Sequence, residues 1–307
     1  MKILITGGAG FIGSHLADKL IEKKHNVVIV DNLSTGKKEN INPKAKFYKT
    51  DIGDKKIAWI FKKENPEIVF HLAAQINLRE SVKNPIEDAK INILGGLNIL
   101  ENCKKFNVKK IIFSSTGGAI YGQASIVPTP ESYIAEPLSP YGIAKLATEK
   151  YLNYYNKVFG MPFLVLRFAN VYGPRQNSKG EAGVIAIFCS QFFSNKQPII
   201  NGDGFQTRDF VYVFDVVKAI LSAMDSEKTG VFNVGTAKET NINDIFLMIK
   251  KSTGSVLEEA HRPSEKGEQQ RSCLDYSKIK SELNWMPEYD LKTGIEKTVE
   301  WFKNNKK

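Results

Sequence analysis

Cysteine is scarce in this chain, at three residues in 307. Cys103, Cys189 and Cys273 are far apart, odd in number and outside any Cys-x-x-Cys spacing, so isolated thiols are expected, and neither a disulfide framework nor a thiolate metal centre is indicated. The four histidines show no ligand spacing either, and no metal is expected. No apolar run reaches the length of a membrane span, and the chain enters a strand-like run at Lys2 with no signal-peptide pattern. A cytoplasmic protein with no membrane partner is expected. Low-complexity tracts and internal repeats are missing as well. With 42% hydrophobic residues the chain can bury a full core, in one large domain plus a smaller one.

A nucleic-acid-binding motif is also missing, although the formal charge is +10. The lysines are scattered along helix-like stretches (Lys23-Lys24, Lys62-Lys63, Lys104-Lys105, Lys250-Lys251) without interleaved aromatics. They are expected to solvate the surface, not to bind nucleic acid, and part of their field can gather an anionic substrate.

What is present begins with glycine. Thr6-Gly7-Gly8-Ala9-Gly10-Phe11-Ile12-Gly13-Ser14 follows the apolar run Ile3-Leu4-Ile5 and opens into a segment of helical spacing. Gly7, Gly10 and Gly13 allow a tight turn, close approach to a pyrophosphate and packing of helix on strand, while the helix N-terminus offers N–H groups to phosphate. A second run, Val27-Val28-Ile29-Val30, ends in Asp31, where an acid bonds ribose hydroxyls and repels a 2′-phosphate. NAD is thereby favoured over NADP, with Lys37 and Lys38 just downstream acting in the opposite sense.

Up to about residue 170, strand-like runs (Ile3–Thr6, Val27–Asp31, Phe47–Thr50, Ile68–Leu72, Ile111–Ser114, Phe163–Phe168) alternate with helix-like stretches at Phe11–Lys24, Lys55–Lys63, Pro85–Phe106 and Pro140–Phe159. Continuous apolar strands suit a parallel sheet covered on both faces. The expected fold is α/β: a Rossmann-type doubly wound parallel sheet with a smaller C-terminal α/β substrate-binding lobe. The first domain is expected over 1–170 with 209–237 returning to it through a strand near Val231–Val234, and the lobe over 171–208 and 238–307. The polar motifs Thr6–Gly13, Asp31, Asp51-Ile52, His71–Gln75 and Ser114–Thr116 all fall at carboxyl ends of strands, where such sheets bind ligands.

Tyr141-Gly-Ile-Ala-Lys145 begins a helix, and four-residue spacing puts phenol and ammonium on one face. A Tyr becomes a useful base near neutral pH when a nearby cation stabilises its phenolate.

Taken together, the glycine turn, Asp51-Ile52, His71-Leu-Ala-Ala74, Asn92, Ser114-Ser-Thr116, Tyr141-x-x-x-Lys145 and Leu166-Arg-Phe-Ala-Asn-Val-Tyr-Gly-Pro-Arg175 resemble the extended short-chain dehydrogenase/reductase family over nearly the whole chain. Asp31-Asn-Leu-Ser-Thr-Gly36, Gly202-Asp-Gly-Phe-Gln-Thr-Arg-Asp209 and Gly267-Glu-Gln-Gln-Arg-Ser272 are most similar to its nucleotide-sugar branch, the UDP-glucose 4-epimerases above all. The resemblance implies that Tyr141 is the acid/base, that Lys145 holds the nicotinamide ribose and depresses the Tyr141 pKa, and that Thr116, or alternatively Ser115, bonds the reacting hydroxyl. Phe11 and Ile12 would meet the pyrophosphate, Asp51 the adenine amine and Ala73-Ala74 the middle of the dinucleotide, with Asn32, Ser34, Thr35, Gly36, Ile52, Leu72, Gln75, Asn92 and Ser114 completing the NAD site. On the substrate side it implies Asn170 at diphosphate and sugar, Val184 near uracil, and Arg208 with Arg271 at the diphosphate. Ser272 would line the C2 side of the sugar, where a small residue admits an N-acetyl group.

The implied activity is 4-epimerisation of a UDP-hexose through a transient 4-keto sugar, with NAD regenerated each cycle. A nucleotide-sugar dehydratase or decarboxylase would need an acid or base just after the Thr, where Gly117 and Gly118 stand. A UDP-glucuronate 4-epimerase would differ only in its C6 pocket, and a non-catalytic NAD-binding sensor would lack part of the Tyr/Lys/hydroxyl set. A homodimer is implied through the helices Pro85–Phe106 and Pro140–Phe159, with Ile91, Leu94, Leu97, Tyr151, Leu152 and Tyr155 serving either the interface or the core.

Overall fold

The computed structural model describes residues 1–178, 183–264 and 269–305. Gly267 and Glu268, part of the predicted C-terminal motif, lie outside the described residues. Six strands come from the chain up to Phe168: β1 (Lys2–Thr6), β2 (Asn26–Asp31), β3 (Lys46–Lys49), β4 (Ile68–His71), β5 (Lys110–Thr116) and β6 (Phe163–Phe168). The strand Gly230–Val234 pairs with β6 to complete a seven-stranded sheet, ordered Gly230–Val234, β6, β5, β4, β1, β2, β3. Every neighbouring pair is parallel.

The apolar runs form central strands because both faces of the sheet are covered. Ile3 and Ile5 point into one core cluster and Leu4 into the other, and none of the three has any exposed surface. The strand order reverses between β1 and β4, so their carboxyl ends open a crevice between diverging loops. One helix, Pro140–Phe159, starts there on clear local signals: Ser139 accepts a hydrogen bond from the Gly142 N–H at 3.2 Å, Pro140 occupies the first turn, and Gly160 ends the helix at φ 67°.

The stretch predicted as a single helix over Pro85–Phe106 is instead interrupted. An α-helix over Pro85–Ala89 passes through a π turn at Lys90–Leu94 before resuming at Gly95–Lys105. A Cβ on Gly95 would lie 2.8 Å from Ile52, so this segment approaches the end of the sheet more closely than a side chain would permit.

The smaller lobe has its own core, made by the helices Val184–Phe193, Ile242–Thr253 and Leu291–Asn304 with Phe210 and Tyr212. Val211, Val216, Ile220 and Phe232 belong to the sheet's core, and so do Ile279, Leu283 and Trp285. The chain therefore returns to the first domain a second time, within the segment expected to be wholly lobe. The Trp285 indole donates to the Asp215 carbonyl at 3.0 Å and holds that return in place.

Candidate active site

At the carboxyl end of β1 the glycine turn forms as its composition dictates. Gly7 has φ 74°, and a Cβ there would sit 2.7 Å from the Ala73 backbone nitrogen; a Cβ on Gly13 would collide with the Gly7 carbonyl. Gly10 is different, because a Cβ there would meet only the Gly7 carbonyl oxygen, at 3.1 Å. Gly10 caps the helix Phe11–Glu22 without any side chain, and no acidic residue stands in the first turn. The N–H groups of Phe11 and Ile12 thus face an open cradle, an arrangement fitted to a diphosphate.

Asp31 is buried at the end of β2, accepting from the Ala9 N–H at 3.0 Å and the Leu33 N–H at 2.8 Å. A Cβ on Gly36 would be 2.9 Å from its carboxylate, which explains the glycine. Next to it, Asn32 donates to the Asp51 carboxylate at 2.7 Å and accepts from the Ser34 N–H at 2.9 Å, while Thr35 is exposed. Ile52 is buried under Gly95. The residues Leu72, Ala73, Ala74 and Gln75 leave β4 half-buried, and Asn92 clamps Gln75 by accepting from its N–H and donating to its carbonyl, both at 2.9 Å. A buried acid at β2, an uncapped helix N-terminus and a glycine cradle together fit NAD.

Beyond β5 lies a cavity of about 620 Å³ lined by Thr116, Gly118, Tyr141, Asn170 and Arg208, among others. The two-residue strand Thr207–Arg208 positions Arg208, whose Nη1 donates to the Thr207 carbonyl at 2.8 Å. Alternation along β5 sends the two candidate hydroxyls to opposite faces. Ser114 and Thr116 face one side; the Lys145 ammonium donates to the Ser114 carbonyl at 2.9 Å, and the Ser114 hydroxyl donates to the His71 carbonyl at 3.2 Å. Ser115 faces the other side. Its buried hydroxyl donates to Glu149 at 2.6 Å and does not line the cavity, whereas Thr116 does, which favours Thr116 of the two.

Electrostatics separate the groups by role. Burial pushes the Tyr141 phenol up and the carboxylate of Asp88 adds to that, whereas a hydrogen bond with Thr116 draws it down. Lys145, 3% exposed, is lowered by burial to about 8 against the opposing pull of Asp88 and Glu149. Burial next to Lys145 lowers His71 to about 3, so its ring is neutral at physiological pH, bonded through Nδ1 to the Thr6 hydroxyl at 2.8 Å.

Three predicted substrate contacts are absent from the cavity wall. Val184 starts a helix of the lobe and packs on the lobe's core. Arg271 is exposed and paired with Glu239 at 2.5 Å. Ser272 is buried in a strand paired with Arg208, its carbonyl accepting from the Asp209 N–H at 2.8 Å, and it is Gln269 of this segment that reaches the cavity. The sequence reading missed Gln269 and Asn201 as well as the short helix Leu78–Lys83, which adds Arg79 and Lys83 to the wall. That helix carried a legible signal: Asn77 caps it, accepting from the Glu80 N–H at 2.7 Å.

Residues 3–235 match the family described as NAD dependent epimerase/dehydratase. The chain belongs to that family. Among relatives in the epimerase/dehydratase family, the UDP-glucose 4-epimerase of Mycolicibacterium smegmatis is 40% identical, with 99% of each chain covered. The structure is similar to that of the Thermotoga maritima UDP-glucose 4-epimerase with UDP-glucose, at a TM-score of 0.98, 51% identity and 99% of each chain. It is also similar to the NAD complex of the Thermus thermophilus UDP-glucose 4-epimerase, at a TM-score of 0.95 and 38% identity over 99% of this chain and 100% of that one. These likenesses to family members span both lobes.

Proposed function

We propose that the protein is an NAD-dependent epimerase that inverts C4 of a UDP-hexose, interconverting UDP-glucose and UDP-galactose through a transient 4-keto sugar. The observation that carries this reading is the joint presence of Tyr141 and Thr116 on one cavity wall with Arg208 on another, at the end of a sheet whose glycine cradle fits NAD. When bound, NAD accepts two electrons and a hydrogen from the sugar carbon and gives them back, so no outside redox partner is needed. Tyr141 accepts the proton of the C4 hydroxyl and later returns it. Thr116, hydrogen-bonded with Tyr141, orients that hydroxyl, and the Lys145 ammonium stabilises the phenolate. Asn170 and Arg208 hold the diphosphate, for which a guanidinium fork is suited. Gly117 and Gly118 follow Thr116 and carry no acid, which argues against elimination of water or CO₂.

A second reading, a 4-epimerase of a UDP-hexuronate, is favoured by one observation: Arg79, Lys83 and Arg208 line the cavity and, among the described residues, no Asp or Glu does so. The N-acetylated hexoses belong to the same test. Purified protein incubated with UDP-glucose, UDP-galactose, their N-acetylated forms and UDP-glucuronate should equilibrate the first pair; products lacking water or CO₂ by mass spectrometry would overturn the epimerase reading.

A homodimer is supported by exposed apolar residues on the same two helices. Leu94, Tyr151, Tyr154 and Val158 are 59%, 39%, 48% and 57% exposed, whereas Leu152 and Tyr155, expected in either the interface or the core, are buried in the core. Sedimentation at micromolar concentration should give a dimer. No described helix is long and apolar enough to cross a membrane, and we propose a cytoplasmic location.

A further inference from the structure

Lys145 sits in a buried site with no salt-bridge partner among the described residues: its ammonium donates to the Ser114 carbonyl and lies over the Phe113 ring, 4.7 Å from the centroid. Two carboxylates act on it, Glu149 and Asp88. Glu149 is already neutralised, because Arg167 holds it through Nε at 3.0 Å and Nη2 at 2.6 Å while Ser115 donates to it as well. Asp88 is not. It is 2% exposed; its Oδ1 accepts from Gln75 Nε2 at 2.9 Å and Asn92 Nδ2 at 3.0 Å, and its Oδ2 has no hydrogen-bond partner.

The helix Pro85–Ala89, which carries Asp88, packs on the helix Pro140–Phe159. Tyr141, Lys145 and Thr148 fall on one face of the latter by their spacing, and the Thr148 hydroxyl donates to the Asn92 carbonyl at 3.2 Å, tying that face to the π turn that also binds Asp88. The other charged residues between Leu78 and Leu94 are the exposed Arg79, Glu80, Lys83, Glu87 and Lys90, the last two paired with each other, and His71 on β4 is neutral. With Glu149 and Arg167 cancelling, Asp88 is left as the uncompensated one of the two carboxylates that act on Lys145.

We infer that Asp88 is a positioning residue for the reaction: the counter-charge of Lys145, which keeps the ammonium charged inside the fold and sets the pH window in which Tyr141 and Lys145 work together. The inference rests on the epimerase reading for its consequence in turnover, but not for its electrostatic content. A carboxylate near both groups favours the charged lysine and disfavours the phenolate, so its removal should shift both titrations to lower pH.

Asp88→Asn isolates the charge. The amide oxygen can take the place of Oδ1 and keep both hydrogen bonds, while the amide nitrogen takes the place of the unpartnered Oδ2. In the holoenzyme both limbs of the pH profile of kcat should move down by about 1 pH unit, the low end of what a nearby charge produces. Competitive acetylation of Lys145, followed by peptide mass spectrometry across pH, should show its midpoint falling by a similar amount, and this readout needs no substrate. Asp88→Glu should restore the wild-type midpoint. A folded Asp88→Asn protein whose midpoint and limbs stay in place, even with lowered kcat, would show a purely structural role and overturn the inference. If Asp88→Asn does not fold, Asp88→Ser is read by the same acetylation criterion. A midpoint that shifts in a protein unable to interconvert UDP-hexoses would sink the epimerase reading and leave this one standing.

Discussion

Replacing Lys145 with Met should stabilise the protein while destroying its turnover, and the amount can be worked from the site. Among the described residues the Lys145 ammonium has no carboxylate in contact, and burial lowers its pKa from 10.5 to about 8. An unfolded chain therefore holds this proton more tightly than the native one. The difference of two to three units, at about 1.4 kcal/mol for each pKa unit, means that the charged lysine costs the fold about 3 kcal/mol at neutral pH. Methionine matches the length and flexibility of the stem and keeps the packing over Phe113. It forfeits the hydrogen bond to the Ser114 carbonyl, about 1–2 kcal/mol. The net expectation is a gain of about 2 kcal/mol at pH 7. The sign of the pH dependence follows: the penalty is complete below about pH 8, shrinks as the native lysine loses its proton, and is gone above the unfolded value of 10.5. Urea unfolding of NAD-free protein at pH 7 and pH 10 measures this, with Lys145→Met more stable at the first and nearly equal to wild type at the second. A variant less stable at pH 7, or a difference that ignores pH, would refute the reasoning.

Tyr141→Phe should leave NAD binding and the melting temperature intact and lower kcat by roughly 10²–10⁴, since only the proton-transferring hydroxyl is removed; near-normal turnover would sink the assignment. Thr116→Ala should lower kcat by roughly 10²-fold or more, whereas Ser115→Ala should keep turnover within a few-fold and cost about 1–3 kcal/mol in urea unfolding because Glu149 loses a buried donor. Glu149→Gln should cost about 3–5 kcal/mol, as it leaves the Arg167 guanidinium, 6% exposed, without its carboxylate; a loss under about 1 kcal/mol would show that the site admits water. Wild-type turnover should fall as pH rises past about 8, where Lys145 loses its charge.

Much of the architecture could be read directly from residue order, because the forces responsible are local. Ile3-Leu4-Ile5 and Val27-Val28-Ile29-Val30 are apolar on both faces, and only a covered parallel strand accepts that pattern. Gly7 and Gly13 are dictated by the turn they occupy, and Ser139-Pro140 with Gly160 bracket their helix. The choice of Thr116 over Ser115 was not legible in that way: Ser115 shares the Phe113 face of β5, which the helix Pro140–Phe159 covers, and its hydroxyl is taken up by Glu149.

What only the tertiary structure decided was which long-range partner each polar side chain takes. Arg271 and Arg208 look alike as isolated arginines, but a strand pairing turns one toward Glu239 and the other toward the cavity. Ser272 lost its expected place to Gln269 through the register of a two-residue strand, a choice too small to leave a periodic mark. Glu149 and Asp88 are both acids on helices, yet one is paired with Arg167 from β6 and the other keeps an oxygen without a hydrogen-bond partner among the described residues. Helical and strand periods come from the chain's own geometry, whereas these pairings join residues tens of positions apart and depend on how the layers settle against one another.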